Sequence, residues 1–373
     1  MNTLEFTCNK APTLGIELEL QLVDQQTWEL TPKVVDILKM LPEDQIWAKP
    51  ELTQSYLELN SSVCSTVGCL RKDMEPKINH VQQLANKNKA ELFWAATHPF
   101  SLWMDQKITP DKRYKQLVEK MQDTARRIVT FGMHVHVGVD SGDKAIMIID
   151  RMMRHLPTLL ALSVNSPFWV GRNTGLKSQR CKIMEQLPAA GLPPYMRNYS
   201  EYCWLVNHSI QTGFINSIRE VWWDIRPHPK FGTVEIRICD VPPSLEHALS
   251  LAALIQCLVT ALNEQIEEGV YQHDIHPIMV KQNKWMALRY GMDARITDPV
   301  TLEPIPVRQQ AYQLFEKLVP YAVKLNCLKE LEGLKKLIEE PSGAERQISL
   351  YKETGSFQKM IQHLVEAQKL IFA

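Results

Sequence analysis

Residues 15–22 read GIELELQL, and this alternation restricts the chain more than any other stretch. Ile16, Leu18, Leu20 and Leu22 recur with the two-residue period of a β-strand that has one face in a core. Glu17, Glu19 and Gln21 occupy the opposite face. Like charges about 4 Å apart repel by roughly 4 kcal/mol at an effective dielectric near 20. Either water screens the two carboxylates, as on an exposed edge strand, or something positive lies against them.

Three later stretches repeat the pattern. Tyr56, Glu58 and Asn60 alternate with Leu57 and Leu59, and Glu51 lies just upstream. In FGMHVHVGV, His134 and His136 oppose Val135, Val137 and Val139. Thr233, Glu235, Arg237 and Cys239 oppose Val234, Ile236 and Ile238. Each stretch alone reads as an ordinary surface strand. On one antiparallel sheet backed by helices, their polar faces would line a single concave surface. Glu17, Glu19, Glu58 and Glu235 would then face Arg237, an excess of negative charge that needs cations. Carboxylates with one or two imidazoles and no cysteine suit magnesium or manganese better than structural zinc. Arg237 offers a bidentate fork to a phosphoryl group. Phosphoryl transfer requires chiefly positioning and charge neutralisation.

The remaining signals are helical. Helix starts are expected at Thr31 and Pro32, at Thr66, at Arg113 (running on to about residue 129), at Asp143 with an interruption at Pro157, and at Ser200. From Ser244 onward the chain reads as nearly all helix. The loop 165–180 holds Gly171, Gly175, Arg172, Lys177, Ser178 and Arg180, which suit an anion or a solvated surface equally. With no linker rich in Gly, Pro or Ser, the expectation is one α+β domain, 1–373, with 244–373 as a mainly helical C-terminal part. The apolar run 249–262 is too short to cross a bilayer and carries Gln256 and Thr260, so it reads as a buried helix. Lysine plus arginine and aspartate plus glutamate both number 42, without a block of either sign. This argues against nucleic-acid and anionic-membrane partners. The eight cysteines lack metal spacing and the start lacks an apolar leader, so a reduced, cytoplasmic protein is expected.

GIELE, LEL, GMHVHVG and TVEIRICD occur with NSPFW, WWDIRP, NKWMALRYGMDA and GAERQ in an order that resembles a known family. The set is similar to that of the glutamine synthetase-like carboxylate–amine ligases, in particular the bacterial YbdK-type branch related to glutamate–cysteine ligase. The resemblance spans essentially the whole chain. It implies a glutamine synthetase-like fold, an antiparallel sheet curved into a funnel with ATP entering at one end and amino acids at the other. It implies metal ligation by Glu17, Glu19, Glu51, Glu58, His134 and Glu235, and nucleotide contacts from His136 and Arg237. Arg237 and Arg226 would act in catalysis, and Asn60, Arg180 and Ser178 would contact substrate. ATP and magnesium (or manganese) are the implied cofactors, and the helical third leaves room for a homodimer. The implied reaction phosphorylates the γ-carboxylate of glutamate to an acyl phosphate. An amine such as cysteine attacks it, and ADP and phosphate leave. Related sequences often carry an aromatic where Leu176 or Gln179 stands here, which bears on the substrate. A metal-dependent hydrolase and a nucleotide-binding protein without turnover are the alternative readings.

Overall fold

The computed structural model describes residues 4–372 apart from residues 43, 273, 274 and 299. Its centre is a seven-stranded sheet. In chain order the strands are β1 (Leu14–Asp24), β2 (Ala48–Pro50), β3 (Tyr56–Asn60), β4 (Ala90–Phe93), β5 (Met133–Gly138), β6 (Ile225–His228) and β7 (Thr233–Ile236). They lie in the order β6-β7-β5-β1-β3-β2, with β4 also paired to β1, and every pairing is antiparallel. The 11 residues of β1 serve three partners. One edge takes β3, and the other takes β5 along its first half and β4 along its second.

The register carries the functional consequence. Glu17 lies opposite His134 on one side and Asn60 on the other. Glu19 lies opposite Glu58, and Glu235 lies between His136 and Arg226. Because side chains alternate with a period of two, this register puts all of them on one face. The reverse face presents Leu14, Ile16, Leu18, Leu20, Leu57, Val135, Val137 and Val234, all nearly or fully buried. Complete burial of one such side chain stabilises the fold by about 1.5–3 kcal/mol. The covering layer includes α1 (Val67–Lys87), α2 (Gly142–Met152) and α3 (Leu245–Glu267). The side chains of Thr66, Ser141 and Ser244 cap them by accepting from backbone N–H groups in the first turn. α3 is long and apolar enough to cross a membrane, but 89% of its most apolar stretch is buried inside the protein. An all-round apolar helix belongs in such a core.

Three helix boundaries differ from the sequence expectation. Thr31 N–H bonds Leu22 C=O, which keeps that residue beside β1, so the helix begins only at Val34. The helix from Lys112 stops at Met121, because Gln122 adopts φ 49°, and a short turn restarts over Asp123–Arg126. Asn198 rather than Ser200 caps Tyr199–Gln211. Pro157 lies in the first turn of a new helix, Leu156–Ser163, where its missing N–H costs nothing. After α3 come further helices, among them Pro277–Tyr290, Val307–Lys324 and Phe357–Phe372, with a small strand pair, Arg295–Thr297 and Pro304–Pro306. One hydrophobic cluster extends from Leu14 to Val365.

His98, just past β4, is fully buried, and its ring is held as a neutral imidazole. Nδ1 accepts from the N–H groups of Ser101 (2.9 Å) and Phe100 (3.3 Å), and Nε2 donates to Trp28 C=O at 2.9 Å. Burial lowers its pKa from 6.5 to about 3. The folded protein therefore refuses a proton that the unfolded chain accepts below about pH 6.5. Stability is whole above that value and is lost as pH falls towards 3. At pH 5 the loss from His98 is about 2 kcal/mol. Urea unfolding of wild type and His98→Asn at pH 7 and pH 5 checks this: the variant is expected to lose less between the two pH values.

Candidate active site

The polar face of the sheet gathers around Glu17. His134 Nδ1 lies 2.8 Å from Glu17 Oε2, and His134 Nε2 lies 3.6 Å from Glu19 Oε1. His136 Nε2 lies 3.4 Å from Glu17 Oε1, and its Nδ1 lies 3.0 Å from Thr233 Oγ1. Burial opposes ionisation of Glu17, but hydrogen bonds and charge from the two histidines outweigh it and hold its carboxyl well below the usual range. Burial likewise disfavours a charged His136, yet the Glu235 and Glu17 carboxylates raise its pKa above the ordinary value.

Two arginines hold Glu235. Arg226 Nε and Nη2 donate to its two oxygens at 2.7 and 3.2 Å, and Arg237 Nη1 donates to Oε1. Burial alone would raise the Glu235 pKa, but the Arg226 and Arg237 charges bring it well below the usual carboxylate value. Arg226 Nη1 is also committed, to the carbonyls of Val221 (2.6 Å) and Ile218 (3.1 Å). Arg226 is therefore spent inside the protein, where it fixes Glu235. Arg237 Nη1 also lies 3.4 Å from His134 Nδ1. That nitrogen has one position for a proton, and the 2.8 Å contact to Glu17 takes it, so Arg237 is an electrostatic neighbour there rather than a donor.

The other side of the face is acidic and poorly balanced. Glu58 has Asn60 Nδ2 at 2.8 Å and Lys49 Nζ at 3.7 Å. Glu51 accepts from the Tyr114 hydroxyl at 2.9 Å. Burial first, then the negative charges of Glu58 and Glu19, push Glu51 well above the usual range; burial and Glu17 raise Glu58. These carboxylates lack positive partners of the kind Glu235 has. Glu51→Gln is thus expected to raise Tm in metal-free buffer, by a gain of about 1 kcal/mol. It should also shrink the further rise that magnesium produces. Thermal melts with and without magnesium check both signs.

Among the described residues, one group of three has the spacing to hold a metal ion: Glu17, His136 and Glu235, with ligand atoms within 4.8 Å of one another. His136 Nε2 is buried, with the Glu17 carboxylate 3.4 Å away and outside hydrogen-bond geometry, so a cation held by both would displace no hydrogen bond at that nitrogen. The oxygen-rich donor set fits magnesium or manganese. The resemblance assigned His134 to the metal and His136 to the nucleotide. The structure sets both rings beside Glu17 and brings His136 into the three-ligand group.

The loop 165–180 divides. Ser178 is fully buried, donates to Asp240 Oδ1 at 2.9 Å and caps a short helix through Cys181 N–H, so it braces the site from behind. Lys177 pairs with Glu345 at 3.4 Å. Arg180 lies at the end of the polar face beside Gly132 and donates to the carbonyls of Ile238 (3.2 Å) and Arg237 (3.1 Å). Its guanidinium fills the space that a Cβ on Gly132 would need, and the Gly132 N–H donates to Glu19. Only glycine at position 132 allows both. Three further residues escaped the sequence reading: Tyr114, Asp224 and Lys284. Lys284, 1% exposed, sits 2.5 Å from Asp224 and 2.8 Å from Glu185, and Asp224 C=O in turn accepts from Arg237 N–H. A lysine within an amphipathic helix gives no local sign of such burial.

Comparison with known proteins agrees with this architecture. The model of glutamate-cysteine ligase family 2 (GCS2) matches residues 13–366. A protein of Gloeobacter violaceus named "Putative glutamate--cysteine ligase 2" is 39% identical over 365 residues, covering 97% of this chain and 98% of its own. A protein of the same name from Thermobifida fusca is 39% identical over 98% of this chain and 92% of its own. The crystal structure of glutamate–cysteine ligase from Francisella tularensis in complex with AMP superposes with a TM-score of 0.72 at 14% identity, covering 99% of this chain and 90% of that one. A bifunctional glutathione synthetase from Pasteurella multocida gives a TM-score of 0.72 at 13% identity, over 97% of this chain and 52% of that one. The α+β antiparallel fold expected from the sequence is the fold observed.

Proposed function

The chain belongs to glutamate-cysteine ligase family 2, and from that premise we propose that this ligase uses ATP to join the γ-carboxylate of glutamate to an amine such as cysteine. The observation that carries the proposal is the Glu17–His136–Glu235 group with Arg237 beside Glu235 on the same face. Glu17, His136 and Glu235 would hold a divalent cation, and Glu19, Glu51 and Glu58 would form a second acidic wall. A bound magnesium ion supplies charge neutralisation for the triphosphate and draws electron density from the transferring phosphoryl group. His134 keeps Glu17 ionised and oriented. Arg226 holds Glu235, and Arg237 turns its remaining N–H groups towards the phosphoryl oxygens as charge develops on them. The carboxylate of the amino acid then attacks the phosphoryl group, ADP leaves, and the amine displaces phosphate from the acyl phosphate. Asn60 and Arg180, at the margins of the acidic face, are the candidates for holding the amino acid. A nucleotide-independent hydrolase would leave Arg237 with no role beyond holding Glu235.

The test is ADP release from magnesium-ATP with glutamate fixed and a panel of amines varied. The expected result is amine-dependent release matched by amide product, reduced about 100-fold or more in Arg237→Ala. Turnover without nucleotide would replace this proposal with the hydrolase. Nucleotide binding without release for any amine would leave a binder.

A further inference from the structure

A second chemically competent group lies at the start of α1, outside the acidic face. Cys64 is buried, and its N–H and C=O both pair with Leu14, at 2.8 and 2.7 Å. Cys69 is exposed in the first turn of α1, where its N–H donates to Thr66 Oγ1 at 3.1 Å. Both are free thiols, and their sulfurs lie 2.9 Å apart. A disulfide bond is about 2.05 Å long, so roughly 1 Å of closure separates this pair from a bond. We propose that Cys64 and Cys69 form a reversible oxidation site that closes to a disulfide on reaction with a peroxide.

The chemistry balances with the peroxide as oxidant. The Cys69 thiolate attacks one peroxide oxygen and the O–O bond breaks. The departing hydroxide takes a proton to become water, and Cys69 is left as a sulfenic acid. The Cys64 sulfur then attacks Cys69 Sγ. The S–S bond forms, the S–O bond breaks, and the hydroxide leaves as a second water with the proton from Cys64. Two electrons pass from the sulfurs to the peroxide oxygens, and a small thiol returns them by exchange. The order of attack follows from position. Burial, then the hydrogen bond with Cys69, pushes the Cys64 thiol up to about 12, so it stays protonated. Cys69 faces solvent, where a peroxide meets it first. The other close pair, Cys257 and Cys327 at 3.6 Å, is buried at both ends. The bond would tie the first turn of α1 to the segment paired with Leu14, three residues before Glu17 on β1.

The experiment treats the full-length protein with hydrogen peroxide, blocks free thiols and digests with trypsin. Lys49 precedes Pro50 and resists cleavage, so Cys64 and Cys69 fall in one peptide, residues 40–71, which holds no other cysteine. The expected result is loss of two hydrogens from that peptide, reversed by dithiothreitol, absent in Cys69→Ser and retained in Cys257→Ala. Exposed Cys8 reports that oxidant was present. If Cys8 oxidises while the peptide keeps both thiols, or if Cys69 gains oxygen without closing on Cys64, the proposal fails.

Discussion

Glu17→Gln is expected to lower amine-dependent ADP release by about a thousandfold while the protein stays folded. Glutamine keeps the shape of the side chain and removes its charge. In the wild type that charge is shared: one oxygen faces His134 at 2.8 Å, the other His136 at 3.4 Å. Glu17 is also one of the three residues with metal-ligand spacing. The substitution removes an anionic ligand and the one carboxylate that faces both imidazoles. Its side chain is 21% exposed and makes no contact with the hydrophobic reverse face, so the fold should tolerate the change. The loss should fall on turnover and on the magnesium dependence of nucleotide binding together. Steady-state rates and titration of an ATP analogue with and without magnesium measure both. A variant that keeps wild-type turnover would remove Glu17 from the mechanism and with it the proposed metal group.

Lys284→Met is expected to give the largest loss of stability from a single polar side chain, about 3–5 kcal/mol. The ammonium is buried between Asp224 (2.5 Å) and Glu185 (2.8 Å). Burial disfavours its charge, but the two carboxylates and the nearby Cys181 outweigh this and raise its pKa. Methionine fills the same volume and leaves Asp224 and Glu185 facing each other without a cation between them. Lys182, 2.5 Å from Glu185, relieves one of them in part. Asp224 remains the more costly orphan, so adding Asp224→Asn to Lys284→Met should recover part of the loss, a coupling that a double-mutant cycle reads directly. Urea midpoints of the four proteins at pH 7 supply the measurement. A loss below about 1 kcal/mol would mean that the carboxylates are solvated or relaxed rather than held by this lysine. Because Asp224 C=O also holds Arg237 N–H, the change should reach the side proposed to bind the phosphoryl group as well.

Alternation along a strand is a local property, which is why the sequence by itself determined which residues of each strand lie on its polar side. Glu17, Glu19, Glu58, Asn60, His134, His136, Glu235 and Arg237 could be placed there from a period of two alone, with leucines, isoleucines and valines behind them. The helix cap at Thr66 was legible for the same reason, since it acts within one turn. The tertiary structure decided everything that depends on which strands become neighbours. Period two does not specify lateral order or register, and only the observed pairing sets Glu235 between His136 and Arg226 and gives Glu17 two histidines. Burial decided the rest. Ser178 and Lys284 look like solvated polar residues in the chain, yet packing draws them inside, where Asp240, Asp224 and Glu185 provide the partners that a buried polar group requires. No local pattern encodes such a partner, because the residues that meet lie as far apart in sequence as Ser178 from Asp240 and Asp224 from Lys284.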